Sequence, residues 1–357
     1  MAYGMLSSTY LKDLPGIFIQ NWGFMPPKRS GHANIKDVAK MAGVSTATVS
    51  RVLSGVGYVS DRSRKSVENA IAELNYTPSQ VARSLREQSS PIIGLIVTDI
   101  KNPYYPELVS SVETSLTKLG YSMILCNTED DSEREINYLN FLTSQRADGI
   151  IICTSGLFQR HQKKIESMGT NIVLADFRAP DTKFPTVTSD SYIGGQLVGK
   201  HLKECGYPRI VYLGISQERK DGAHRYEGLK AGCGSIPTHY FDIDETTQSQ
   251  EELTKRIMKE VPTPFAIFAH NDMVAISTMH TLTSMGVNVP NDVGVVGYDD
   301  IAIASMVNPE LTTVKHHHKE LGQQAVALLD QMIQGKKPNK NYEVELELIV
   351  RKSTTRI

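Results

Sequence analysis

Two hydrophobic rhythms divide the chain. Between Asn34 and Leu74, apolar residues recur every three or four positions: Ile35, Val38, Ala39 and Ala42, then Val49, Val52 and Leu53, then Val67, Ala70, Ile71 and Leu74. That spacing predicts three short amphipathic helices closing on one small core. Asn34, Ser45 and Ser60 precede the three runs and can cap them, and Asp37 stands near the positive end of the first. Gly43 can take the left-handed backbone of a sharp exit. Thr46, Ala47, Ser50 and Arg51 are left facing outward on the second helix. Two short helices joined by a tight turn form a helix-turn-helix, whose second helix lies in the major groove of DNA. Capping and periodicity also fit any three-helix bundle, so the pattern alone leaves that reading open.

From Pro91 the rhythm changes. Short, continuous apolar runs predict strands over 92–97, 122–126, 149–153, 172–175, 210–214, 265–269 and 293–297. Helices are predicted over 105–119, 133–146, 196–205, 225–231 and 273–285. Alternation of this kind is parallel α/β. The units are too many for one mononucleotide fold and lack eightfold regularity, which points to two similar lobes with a cleft between them. Ligands in such sheets sit beyond the carboxyl ends of the strands. Those ends carry Asp99, Asn102, Tyr104 and Tyr105, then Asp176 and Phe177, then Arg219, Asp221 and Arg225, then Asn271, then Asp299 and Asp300. Aromatic faces with carboxylates, amides and guanidiniums suit a polyhydroxylated or heterocyclic small molecule.

Between the two patterns, Thr77-Pro78 can cap a helix of about two turns through Arg86, with Gln80 completing a capping box. A helix so short is marginal alone and would need DNA or a second chain; a plain linker is the alternative. Residues 1–33 mix apolar side chains without a period. Met25-Pro26-Pro27-Lys28-Arg29 reads as the natural beginning of a basic arm, so the preceding segment is expected to be a loose or mis-assigned extension. The expected organisation is an extension over 1–33, a DNA-binding domain over 34–78, a hinge over 79–90 and a two-lobed, dimerising effector domain over 91–357.

The total charge of -1 hides an asymmetry: residues 26–90 hold ten Lys/Arg against five Asp/Glu, so a basic head precedes an acidic body. That distribution suits phosphate contact at one end. The four cysteines are widely spaced and suggest neither a zinc site nor a disulfide framework. A reducing cytoplasm fits them, and neither a membrane span nor a secretory signal is expected. There is no Ser-His-Asp arrangement, H-E-x-x-H, phosphate loop or dinucleotide fingerprint, so an enzyme is not expected, nor a metal or cofactor.

Dense motifs then carry a resemblance: Ile35-Lys36-Asp37-Val38-Ala39, Ala42-Gly43-Val44-Ser45, Thr48-Val49-Ser50-Arg51-Val52-Leu53, Ala82-Arg83-Ser84-Leu85, Asp148-Gly149-Ile150-Ile151, Val295-Val296-Gly297-Tyr298-Asp299-Asp300, Leu311-Thr312-Thr313-Val314 and Arg351-Lys352-Ser353-Thr354. From about Asn34 to Thr354 the chain resembles the lactose/galactose repressor family of bacterial transcription regulators, whose body resembles periplasmic sugar-binding proteins. The resemblance implies that Thr46, Ala47 and Arg51 read base edges, and that Asn34, Ser45, Ser50, Ser54, Tyr58 and Ser60 touch phosphates. It makes Leu85 a wedge in the minor groove at the operator centre. It places Tyr104, Tyr105, Asp176, Arg219, Asp221, Arg225, Asn271, Asp299 and His316 at an effector. It implies a homodimer on a pseudo-palindromic operator, without a tetramerising tail, and leans towards ribose-type regulators of sugar use. The alternative is a co-repressor-type regulator whose DNA binding a purine, another ligand or a phosphocarrier protein strengthens. One departure stands out: where many members carry Gln, this chain runs Lys315-His316-His317-His318. A solvated strand is one reading of that run; direct ligand contact or a pH-sensitive crossover is the other.

Overall fold

The computed structural model describes residues 33–76, 90–179, 182–215, 220–243, 249–339 and 341–355. The extension through residue 32, the expected hinge helix with Leu85, and Arg219 lie outside them, as does the side chain of Asp221. The chain forms two compact units, Met1–Arg83 and Ser84–Ile357.

The first unit contains α1 (Ile35–Ala42), α2 (Thr46–Ser54) and α3 (Asp61–Glu73). Each starts where a side chain can satisfy an orphan amide. Asn34 accepts the Lys36 amide while Asp37 reaches back to the Asn34 amide, both at 2.9 Å. Ser45 Oγ accepts the Thr48 amide at 3.1 Å, and Ser60 Oγ that of Ser63 at 3.3 Å. Gly43 leaves α1 at φ +67°, where a Cβ would be strained. Val38, Ala39, Ala42, Val49, Val67 and Ala70 are buried together, with Val52, Ile71 and Leu74 packed at the margin. Leu53, expected inward, is 37% exposed. Val49 and Val52 already cover this small core, and α2 ends one residue later.

The second unit has two lobes. The first begins with β1 (Ser90–Val97), α4 (Tyr104–Lys118), β2 (Ser122–Asn127), α5 (Ser132–Ser144), β3 (Ala147–Cys153), α6 (Ser155–Ser167), β4 (Asn171–Ala175) and β5 (Thr186–Ser189). The second follows with α7 (Ser191–Glu204), β6 (Ile210–Gly214), α8 (Lys220–Cys233), β7 (Thr238–Asp242), α9 (Gln250–Glu260), β8 (Phe265–Ala269), α10 (Asp272–Ser284), β9 (Val293–Asp299), a 3₁₀ turn at Ala302–Ser305 and β10 (Thr312–His316). The chain then returns with α11 (His318–Ile333) and β11 (Asn341–Val344) and crosses again to β12 (Leu346–Ile349).

The sheets run β11-β5-β4-β3-β1-β2 and β12-β10-β9-β8-β6-β7. Every pairing is parallel except β10 with β12. The chain therefore passes between lobes at 189–191, 316–318 and 344–346. Helix α11 belongs to the first lobe: Leu321, Ala325, Val326, Leu328 and Leu329 share a core with Ile93, Leu95, Val112 and Val173. In the second lobe, α7 and α8 pack backbone to backbone. A Cβ on Gly228 would lie 1.9 Å from the Tyr192 carbonyl oxygen, and one on Gly195 2.0 Å from that of Arg225. That close approach fixes where α8 carries Arg225. Among the described residues, no helix is long and apolar enough to cross a membrane.

Candidate functional site

In the first unit, Asn34, Ser45, Thr46, Ala47, Arg51, Ser54, Tyr58 and Ser60 are exposed and Ser50 is half-buried. Thr46, Ala47, Ser50 and Arg51 share one face of α2, opposite buried Val49. Asn34, Ser45 and Ser60 already serve as helix caps, so they stand beside three positive helix ends. Such ends attract phosphate. Tyr58 is 91% exposed beyond the end of α2. An exposed Arg on a short, firmly capped helix can reach a guanine edge, while Ala47 can offer only apolar contact.

In the second unit a cavity of about 550 Å³ opens between the lobes. Of the residues expected there, it is lined by Tyr104, Tyr105, Asp176, Arg225, Asn271, Asp299 and His316. Asn102 and Asp99 line it as well. Asp299 and His316 end strands, Arg225 lies in the second turn of α8, and the others sit just beyond a strand end or at the start of the helix that follows.

Two of these residues occupy backbone that non-glycine residues rarely adopt: Asp176 has φ +70° and Asp299 φ +117°. Strain of this kind costs about 1–3 kcal/mol and gathers at functional sites. Asp299 points inward and its pKa is raised well above the carboxylate range, first by burial and then by Asp272; Arg225 and the Asn102 side chain oppose the rise. Its neighbour Asp300 turns away to Arg351 Nη2 at 2.7 Å, so the adjacent carboxylates diverge as a strand end dictates. Asp272 accepts from Thr313 Oγ1 at 2.6 Å and from the Ile301 amide at 2.9 Å. Burial lifts its pKa to about 7.

Arg225 stacks its guanidinium 3.4 Å over the Tyr298 ring and donates through Nη1 to the His270 carbonyl. Asn271 caps α10, its Oδ1 accepting the Val274 amide at 2.9 Å, which leaves the amide donors for the cleft. Tyr104 is buried and meets the rings of Tyr105, His316 and His318 at 5.2, 5.4 and 4.6 Å, each nearly edge-on. Burial, then the nearby Asp176 carboxylate, raise its pKa well above the usual phenol value.

The reading of 315–318 as a solvated strand does not hold. His316 and His318 are only 7% and 6% exposed. The first ends β10 beside the cleft and the second opens α11 against Tyr104, so both are drawn into the interior where the chain changes lobes. Burial pushes the His316 pKa well below its ordinary value and that of His318 down to about 4.

Of the wall residues that the sequence reading did not include, three make informative contacts. Arg178 joins Asp190 Oδ2 and Glu343 Oε1, both at 3.1 Å. Ser189 Oγ lies 3.4 Å from His316 Nδ1. His270 supplies the carbonyl that holds Arg225. The placing of Arg178 and Ser189 depends on β5 and β11 sharing a sheet, and both strands are too short to show a hydrophobic period; His270 instead follows β8 directly.

Two family models match the chain. One is described as bacterial regulatory proteins, lacI family, and covers residues 34–79. The other is described as periplasmic binding proteins and sugar binding domain of LacI family, and covers residues 90–352. A ribose operon repressor from Halalkalibacterium halodurans is 38% identical over 328 residues, 90% of this chain and 96% of that protein. An HTH-type transcriptional repressor PurR from Haemophilus influenzae is 35% identical over 334 residues, 91% of this chain and 99% of that protein. Among solved structures, a lac repressor dimer bound to operator and the anti-inducer ONPF matches with a TM-score of 0.80 and 28% identity, covering 91% of this chain and 100% of that one.

Proposed function

The chain belongs to the lacI family of bacterial regulatory proteins, and from that premise we propose that a pentose of the ribose type binds its cleft and governs the grip of a homodimer on a pseudo-palindromic operator. It is a transcriptional repressor responsive to a small-molecule effector, as its relatives' kind implies. Thr46, Ala47 and Arg51 read bases; Asn34, Ser45, Ser50, Ser54, Tyr58 and Ser60 hold phosphates; Leu85 wedges into the minor groove. The domains are those expected from the sequence, and the site of action is the cytoplasm, where operator DNA lies.

One observation carries the choice of ligand. Hydrogen-bonding side chains from both lobes face a single cavity: Asn102 and Asp176 from one, Arg225, Asn271 and Asp299 from the other. Vicinal hydroxyls donate to carboxylates and accept from amides and guanidiniums, so such a ring of groups suits a small polyol. A purine needs broad stacking faces, and Tyr104 spends its ring on the protein's own rings.

Thermal unfolding with D-ribose, other pentoses, nucleosides and nucleobases tests the ligand, since binding to the native state raises Tm by mass action. D-ribose should raise Tm in the wild type and leave Asp299→Asn unmoved. Gel shifts on operator DNA with and without ribose then give the sign, expected to be release. A Tm rise with nucleobases alone, accompanied by tighter operator binding, would replace this reading with the co-repressor one.

A further inference from the structure

Beneath the cleft floor, side chains form one unbroken row from lobe to lobe. Arg225 covers one face of Tyr298 at 3.4 Å. Tyr298 meets His316 at 4.9 Å, His316 meets Tyr104 at 5.4 Å, and Tyr104 meets His318 at 4.6 Å. His318 Nδ1 ends the row 3.4 Å from Glu107 Oε2. Arg225, Tyr298 and His316 belong to the second lobe; Tyr104, Glu107 and His318 belong to the first. The row therefore crosses at the 316–318 passage, and Ser189 Oγ ties His316 to the 189–191 passage at 3.4 Å. The two imidazoles lie nearly parallel, 6.0 Å apart.

We propose that this row is a latch between the lobes, and that His318, which does not line the cleft, is a positioning residue that sets lobe closure through Tyr104 in response to pH. The reason is charge. A neutral imidazole packs edge-on against a phenol ring, whereas an imidazolium buried there forfeits its hydration. His318 faces Glu107 on α4, Asp300 beyond β9, and Lys315 and His317 on its own segment. His316 faces Arg225 on α8 as well as His317 and His318. Asp176 and Asp299 lie across Tyr104. The carboxylates near His318 favour its proton, but burial outweighs them and holds its pKa at about 4.

A hydrated imidazole titrates near 6.5. The latch is thus fully held above that pH and loses ground as pH falls towards 4, because the separated state takes up the proton first. For His318 alone, these two values shift the ratio of separated to latched molecules roughly 30-fold between pH 8 and pH 5.

The test needs no effector, so it stands or falls apart from the pentose reading. Spin labels are placed on Glu133→Cys and Glu251→Cys, exposed positions on α5 and α9, in the full-length protein. Cys205 is replaced by Ser, since the other three cysteines are buried. Inter-label distances are measured at pH 8 and pH 5, with near-UV circular dichroism confirming the fold. The long-distance population should grow on acidification, and His317→Gln should keep that response. His318→Phe and His318→Gln, neither of which titrates, should lose most of it. Unchanged distances in the wild type, or a full response in both His318 variants, would overturn the proposal.

Discussion

Arg225 is oriented by the protein itself. Its guanidinium is stacked on Tyr298 and bonded to the His270 carbonyl, so a ligand need not pay to immobilise it. Arg225→Ala should weaken effector binding about 10- to 100-fold, the usual worth of a charged hydrogen bond, as read by calorimetry. Arg225→Lys should recover little, because an ammonium cannot stack as a plane. At the DNA end, Arg51→Ala should reduce specific operator binding far more than binding to random duplex; equal losses in competition gel shifts would remove Arg51 from base reading. Residues at or just beyond strand ends, such as Asp176, Asn271 and Asp299, could be named from the sequence because position at a strand end sets position in the cleft. His316 and His318 could not be placed that way. Four consecutive polar letters look like solvent-facing chain, and only the crossing between lobes buries them.

At the scale of elements, the capped starts of α1, α2 and α3 were readable because capping is local: a Ser or Asn before an apolar stripe meets its amide partner within three residues. Ser45→Ala should cost about 1 kcal/mol in chemical denaturation of the first unit. The seam between α7 and α8 was not readable, since nothing in the sequence shows that Gly195 and Gly228 oppose backbone across helices. Gly228→Ala should destabilise the second unit by about 1–3 kcal/mol, detectable as a lower denaturant midpoint. Helices α6 and α9 and strands β5, β7, β11 and β12 were missed because their apolar positions are sparse or their runs too brief, and α11 was missed although Leu321, Ala325, Leu328 and Leu329 recur at helical spacing. Asp272 gives α10 a pH signature. Its native pKa is about 7, above that of an unfolded carboxylate, so native stability from this group is highest at low pH and declines as pH rises from about 4 to about 7. Asp272→Asn should flatten that part of the stability profile.

At the scale of the molecule, the basic head makes operator affinity fall steeply with salt, whereas effector affinity for the polar cleft should change little. The second lobe exposes apolar side chains on and beside its 3₁₀ turn, Ile303 at 44% and Met306 at 76%. Exposed apolar patches mark contact surfaces, so Met306→Glu should shift the proposed dimer towards monomer in sedimentation velocity. Two lobes and a cleft were legible because the α/β rhythm restarts near residue 196. Which strands complete which sheet was not, because β11 and β12 swap lobes against their order in the chain.

Those three passages have a bearing on how the protein is made. The first lobe's interior stays open until α11 supplies Leu321, Ala325 and Leu329, and its sheet gains its last strand, β11, only at Val344. A nascent chain emerging from the ribosome thus carries an unfinished first lobe through nearly the whole of translation. Release at residue 317 should yield an aggregating product, even though such a fragment already holds β1 to β10.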